Sequence, residues 1–389
     1  MVSRPADHRS NAATLKVFVH LAENKDARRW RQSWLAKTLV GVNDETPYGY
    51  GRAEKLGCSV TFSGGSSETL LAKFFRYGLR FILGFDFVHA WRQRHAFERA
   101  DVIWTHTESQ YLAVAAVALI TGMKTRIIGQ SVWLFDHWDQ LSWVKRRLYA
   151  LLINRVDVLT FLSPANLRMA RARFPKADAR FVPFGIPTEH KVEPRIRSQE
   201  PFRILAIGSD RHRDWKTLVE VVRDCPDMSL TILSGTVPRK LVTGIANVEV
   251  RLARTTGELH EAFERASVVC VPLLENQHAS GITVIQEAAL FGVPVIASDT
   301  GGLRHYFLDR EIRYVPRGDH AALQEALVEI RACPQDAREM AVRAQARMGQ
   351  NGLGVDAYIQ DHVRISHDLM KAGKTRQAVA TQEMRGNEA

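Results

Sequence analysis

The chain has only four cysteines in 389 residues. Cys58, Cys225, Cys270 and Cys333 stand far apart, with no CxxC pair and no histidines at zinc spacing, so they read as buried thiols of a reducing compartment and no metal site is expected. Long hydrophobic runs are also missing. The longest, near Tyr111 to Ile120, falls short of the ~18 residues of a spanning helix. The opening MVSRPADHRSNAAT lacks the apolar stretch of a secretion signal. A cytoplasmic protein is expected, or one held peripherally on the inner face of the cytoplasmic membrane.

Acidic residues are the other deficit, at 42 against 53 Lys and Arg, for a formal charge of +11. The excess is confined to the first half, which holds 27 basic and 16 acidic residues up to His190, against 26 of each afterwards. A basic half beside a neutral one fits an anionic partner: nucleic acid, a phospholipid surface or a phosphorylated acceptor. A merely soluble, basic surface would give the same count. No helix-turn-helix, zinc or RNP-like pattern is present and the cations form no single run, which argues against nucleic acid. Hydrophobic residues at 46% and charged residues at 24% are globular values.

What is present is a repeated alternation. Short β-branched runs (LKVFVHLA at 15–22, DVIWTH at 101–106, TRIIGQ at 125–130, VDVLTFLS at 156–163) are separated by amphipathic stretches, and a second set follows (FRILAIG at 202–208, SLTILSG at 229–235, ASVVCVP at 266–272, VPVIAS at 293–298). This is the pattern of parallel sheets covered by helices on both faces. The expectation is α/β, with two Rossmann-like doubly wound domains facing a cleft. Residues 187–202 carry three prolines and no apolar period, placing the boundary near 195. We therefore expect one domain over 1–194, a second over 195–355, and over 356–389 a final helix followed by a polar tail, with residues 1–13 and the last eighteen expected to be disordered; the family resemblance given below implies that the first binds an acceptor and the second a nucleotide sugar.

The densest chemical signal is ASGITVIQEAALFGVPVIASDTGGLRHYF, Ala279 to Phe307. Gly281 and Ile282 open a helix whose free N–H groups and positive dipole end suit a diphosphate. Glu287 follows nearly two turns later, where a carboxylate can accept both hydroxyls of a ribose. Upstream, GSDRHRDWKTL at 208–218 sets Arg211, Arg213 and Lys216 after Gly208 at a strand end. Such cations suit two phosphates and the charge on a leaving group, and a solvated loop is the plain alternative.

QEAALFGVPVIASDTGG resembles, in order and spacing, the donor-binding segment of retaining glycosyltransferases of family four, which have the GT-B fold and belong to the group 1 glycosyltransferases. VDVLTFLSPAN with FVPFGIP resembles the end of that family's first domain, RYVPRGDHAALQEAL the closing element of the second, and VDAYIQDHVRISHDLM the helix that crosses back. The resemblance implies a retaining hexosyltransferase using a nucleotide diphosphate sugar, UDP- or GDP-linked, with no other cofactor. It further implies a lipid-linked or oligosaccharide acceptor and a bacterial surface or exopolysaccharide pathway. Gly208, Arg211, His278, Ser280, Gly281, Ile282, Thr283 and Glu287 would then hold the donor, with Arg213 and Lys216 assisting the leaving group.

The sequence departs from that family at two points. Its first acidic residue falls here on Ala279 or, with the glycines aligned, on His278. Its first-domain histidine falls on Gln130 and Ser131, leaving His106 or His137 as substitutes. His106 and Glu108, in WTHTESQ, lie just past a strand end, where His106 is a catalytic candidate and Glu108, Gln130 and Ser131 are acceptor candidates. Residues 67–99 place Leu70, Phe74, Tyr77 and Phe81 at helical spacing beside Lys73, Arg76 and Arg80. Such a segment can rest on an anionic membrane surface or pack in the core with snorkelling cations. A sugar-nucleotide epimerase of the same fold, or a basic nucleic-acid binder, are the rival readings.

Overall fold

The computed structural model describes residues 14–198, 200–350 and 352–386, with side chains left out at 350 and from 373 onward. The expectation for residues 1–13 lies outside the described residues. The first sheet comprises β1 (Leu15–His20), β2 (Cys58–Phe62), β3 (Val102–Thr105), β4 (Arg126–Ser131), β5 (Val158–Phe161) and β6 (Ala179–Phe181), in the order β2-β1-β3-β4-β5-β6. The second comprises β7 (Phe202–Ile207), β8 (Met228–Leu233), β9 (Val248–Arg251), β10 (Val268–Val271), β11 (Val295–Ser298) and β12 (Arg313–Val315), in the order β12-β11-β10-β7-β8-β9. All named strand pairs are parallel.

Both faces of each sheet are buried, which is why the strands read as continuous apolar runs. β3 sends Val102 and Trp104 to one core and Ile103 to the other. β10 does the same with Val268 and Cys270 against Val269 and Val271. The strand order reverses between β1 and β3 in the first sheet and between β7 and β10 in the second. Crevices at such reversals are where α/β sheets bind ligands.

The chain crosses between domains twice. The first crossing runs from β6 to β7 and is tied to the second domain: Val192 N–H donates to Leu290 O at 2.8 Å, and the Arg197 guanidinium donates to the carbonyls of Glu264 and Ala266. The second crossing leads into the helix Val355–Gly386, which occupies most of the stretch read as a polar tail. Its Val355, Tyr358, Ile359 and Val363 join a first-domain core. The two crossings touch, since Val355 N–H donates to Ile186 O at 3.0 Å and a Cβ on Gly185 would fall 2.2 Å from Gly354 O.

The segment with two open readings forms the helix Leu70–Leu83, capped by the Thr69 hydroxyl and ended by Gly84 at φ +82°. A Cβ at Gly84 would meet Tyr149 Oη at 2.0 Å. The apolar face points outward: Leu70, Phe74 and Phe81 are more than four-fifths exposed, and Leu71, Phe75 and Ile82 are exposed beside them. Arg76, read from sequence as a surface cation, is instead the one buried residue of this helix, paired with Glu68 and Asp86. The helix Trp143–Ile153 adjoins it through Tyr149 Oη, which donates to Leu83 O at 2.7 Å. That helix exposes Trp143, Val144 and Leu151. Among the described residues no helix is long and apolar enough to cross a membrane.

Candidate active site between the two sheets

The loops that leave β7 and β10, on either side of the second reversal, are stitched together. Asp214 N–H donates to Pro272 O at 3.0 Å and Leu274 N–H to His212 O at 2.8 Å, while Arg213 bridges to Leu273. The Arg213 side chain is thereby pressed between two glycines. A Cβ on Gly208 would lie 2.3 Å from its Nε, and one on Gly281 2.7 Å from its Nη1. Both glycines have positive φ, +135° and +81°, so neither position accommodates another residue without strain. Arg213 is buried, and its Nε and Nη1 have no partner among the described residues. Burial lowers its pKa to about 10, against the opposing pull of Asp210, so it stays cationic at neutral pH. A buried cation with unused donors is expensive unless an anion completes it.

Gly281 caps the helix Ile282–Leu290, whose first N–H groups and dipole reinforce the same anion preference. Ile282, Thr283 and Glu287 line a cavity of about 320 Å³, together with His106, Trp133 and Gly41 to Asp44 from the first domain. The Glu287 carboxyl is buried, and its pKa rises to about 7 because burial outweighs the hydrogen bond it accepts from Val42 N–H at 2.9 Å. Residues 37–44 form a strap across the cleft. Its Lys37 and Leu39 carbonyls accept from Thr256 N–H at 3.0 Å and Thr256 Oγ1 at 2.9 Å. Behind the strap lies a larger cleft of about 920 Å³ bounded by Trp34, Leu35, Phe62 and His260.

His278 is tied into an ionic triad. Its Nδ1 meets Asp136 Oδ2 at 2.5 Å across the domain boundary, and its Nε2 meets Asp210 Oδ2 at 3.2 Å. Burial opposes its charge, but the two carboxylates outweigh burial and raise its pKa. Asp210 is likewise resisted by burial, yet bonds from His278, the His212 N–H and Ser280 Oγ hold it well below the usual carboxylate range. Asp136, His212 and His278 place ligand atoms within 4.8 Å of one another, a set that could hold a metal ion. Here both His278 nitrogens are engaged by the carboxylates.

His106 stacks on Tyr48 with centroids 3.5 Å apart and sits 3.1 Å from Tyr50 Oη through Nδ1. Burial lowers its pKa to about 3, with His362 and Lys25 adding to the effect, so the ring is neutral. It can accept or donate a hydrogen bond but brings no charge.

The sequence candidates divide accordingly. His106, His278, Gly281, Ile282, Thr283 and Glu287 line the cavity, with Arg213 and Gly208 packed behind Gly281 and Ser280 bonded to the cavity residue Asp210. Lys216 does not: it is exposed on the helix Trp215–Arg223 and lines none of this cavity, because Asp214 ends the loop and begins the helix one residue before Trp215 turns inward. Arg211 opens instead onto a neighbouring mouth with Trp133 and His137. Gln130 and Ser131 are fully buried. They still belong to β4, so Gln130 is spent between His106 O at 2.8 Å and Tyr358 Oη at 2.5 Å, and the loop residues reaching the cavity are Val132 and Trp133. Glu108 accepts from Val132 N–H at 3.0 Å and Trp133 N–H at 3.3 Å; it orients that loop rather than facing an acceptor.

Sequence reasoning missed Asp136, Asp210, Trp133, Tyr48 and the strap. Asp210 stood in plain view inside GSDRHRD but was masked by the surrounding cations, and DHWDQ after β4 held Asp136. No local signal marked Val42.

Residues 190–332 match the family model described as Glycosyl transferases group 1. No curated protein matches the sequence significantly. Among solved structures, a sucrose-phosphate synthase from Thermosynechococcus elongatus superposes with a TM-score of 0.71 at 18% identity, covering 92% of this chain and 100% of that one. HepE of Anabaena in complex with UDP and glucose superposes with a TM-score of 0.64 at 14% identity, covering 90% and 99%. The chain thus has the GT-B fold, and its residues 190–332 are similar to the group 1 glycosyl transferases.

Proposed function

We propose that the chain transfers a sugar, with retention of anomeric configuration, from a nucleoside diphosphate sugar to a saccharide acceptor presented at an anionic membrane surface. The observation that carries this reading is Arg213, whose two unpartnered buried nitrogens lie between Gly208 and Gly281 at the strand-order reversal. That cradle is shaped for the donor diphosphate. Glu287 then receives the ribose hydroxyls, taking over from Val42 N–H, and the sugar projects toward His106 and Trp133.

Departure of the nucleoside diphosphate concentrates negative charge at Arg213 and the N-terminus of the helix Ile282–Leu290, both positioned before the reaction begins. The acceptor hydroxyl attacks from the face the leaving group vacates, its proton passing to the departing diphosphate oxygen, and neutral His106 orients it through a hydrogen bond. The outward apolar faces of Leu70–Leu83 and Trp143–Ile153, flanked by Lys73, Arg80 and Arg147, support membrane attachment and hence a lipid-linked acceptor.

A thermal-shift screen against UDP, GDP and ADP with their sugar conjugates tests the reading. One nucleoside diphosphate should stabilise the protein, and Arg213→Ala should abolish that shift. If no nucleotide stabilises the wild-type protein, the donor site is wrongly placed.

A further inference from the structure

Trp133 and Asp210 line the reaction cavity on one side and, on the other, an opening of about 660 Å³ completed by His137, Ser209 and Arg211. The two spaces adjoin with Trp133 and Asp210 as their common wall, and no residue of the strap borders the opening.

Three side chains at this mouth have recognition capacity that nothing in the fold uses. Trp133 is 40% exposed, although Glu108 holds its backbone and the His278 ring packs against its edge at 6.2 Å. An indole kept in place yet left open is a platform for the C–H face of a sugar ring. His137 has both ring nitrogens buried and unpartnered. It lies parallel to His212 at 6.1 Å, and burial, with the nearby Arg211 charge, lowers its pKa against the pull of Asp136. Arg211 is exposed and makes no hydrogen bond or ion pair among the described residues. Its sequence neighbour Asp210 is no competitor, because His278, Ser280 and His212 already occupy that carboxylate.

We propose that Trp133, His137 and Arg211 form the acceptor subsite, and that the acceptor is a saccharide bearing an anionic group, phosphate or carboxylate, beside the ring that stacks on Trp133. This rests on the donor reading above and assigns Arg211 to the acceptor side. The indole supplies the apolar face, the His137 ring part of the wall, and the guanidinium a charge-assisted pair.

The test is isothermal titration of the full-length protein, saturated with the nucleoside diphosphate it binds, with hexose 6-phosphates, hexuronic acids and the parent hexoses. The anionic sugars should bind about tenfold or more tightly than the parent hexoses, and the better of the two classes identifies the anion. Arg211→Ala should erase that preference, and Trp133→Ala should weaken all three classes. Neither variant should change nucleoside diphosphate affinity, which also reports that each is folded. Equal binding of charged and neutral sugars, or no sugar binding, overturns the proposal, as does a loss of nucleotide affinity in Arg211→Ala. Failure of the wild-type protein to bind any nucleoside diphosphate would instead count against the donor reading.

Discussion

Val42 and Glu287 are joined by a hydrogen bond from a backbone N–H of the first domain to a carboxylate of the second, 245 residues apart in sequence. This contact ties the strap to the group assigned to the ribose. It also leaves Glu287 with a single donor in an otherwise desolvated place, which is why its carboxyl titrates near 7.

A pH dependence follows from that value. Because the folded-state pKa lies above the ordinary 4.5, the native protein holds this proton more tightly than the unfolded chain. Stability is therefore lost as pH rises from about 4.5 through 7, by on the order of 3 kcal/mol. Glu287→Gln should raise the melting temperature relative to wild type near pH 8 and leave it nearly unchanged near pH 5, by calorimetry. Nucleoside diphosphate affinity should run the other way, rising with ionisation of Glu287, and Glu287→Gln should remove that rise while His278 titrates in both proteins.

Arg213→Ala should weaken nucleoside diphosphate binding by about 100-fold, the size expected for two charged hydrogen bonds, without lowering the melting temperature, since an uncompensated buried cation disappears with it. Gly281→Ala should weaken binding too, through its positive φ and the clash with Arg213. Lys216→Ala should leave both affinity and transfer within about twofold of wild type. A large loss in that variant would restore the role its sequence position suggested.

The Asp136, His278 and Asp210 triad should act as an interdomain latch with its own pH window. His278 has a raised pKa, so its contribution is complete below the ordinary histidine value of about 6.5 and is lost as pH climbs through the folded-state value. Asp210, with a depressed pKa, contributes above its ordinary value and loses this as pH falls through the folded one. Asp136→Asn should therefore destabilise the protein by about 3 kcal/mol near pH 6 and by clearly less near pH 9, as read by denaturant titration.

Phe74→Ser with Phe81→Ser should lower partitioning onto vesicles of anionic phospholipid by at least about tenfold, given ~1.5–3 kcal/mol for each buried large side chain. Arg76→Ala should behave differently, reducing fold stability, because Arg76 is enclosed by Glu68 and Asp86 rather than facing solvent. Sedimentation of the protein with vesicles separates the two effects.

Strand positions, the two-sheet architecture and the helix that opens at Gly281 were legible because period, turn chemistry and a long ordered motif all act locally. The pairing partners were not. Glu108 is drawn to the backbone of Trp133, Gln130 to Tyr358, and Arg76 to Glu68; each is a choice made by tertiary packing between residues that sequence spacing does not relate. Lys216 lies outside the cavity for a local reason of one residue, since the loop carrying Arg213 into the crevice ends at Asp214 and the new helix turns Trp215 inward and Lys216 out.

The contact between Ile186 and Val355 has a mechanical consequence. Two stretches of chain fastened side by side make the crossings one coupled joint, so neither can bend without the other. Any parting of the halves that frees a spent nucleotide would have to break the Val42–Glu287 bond while this joint keeps the two crossings side by side.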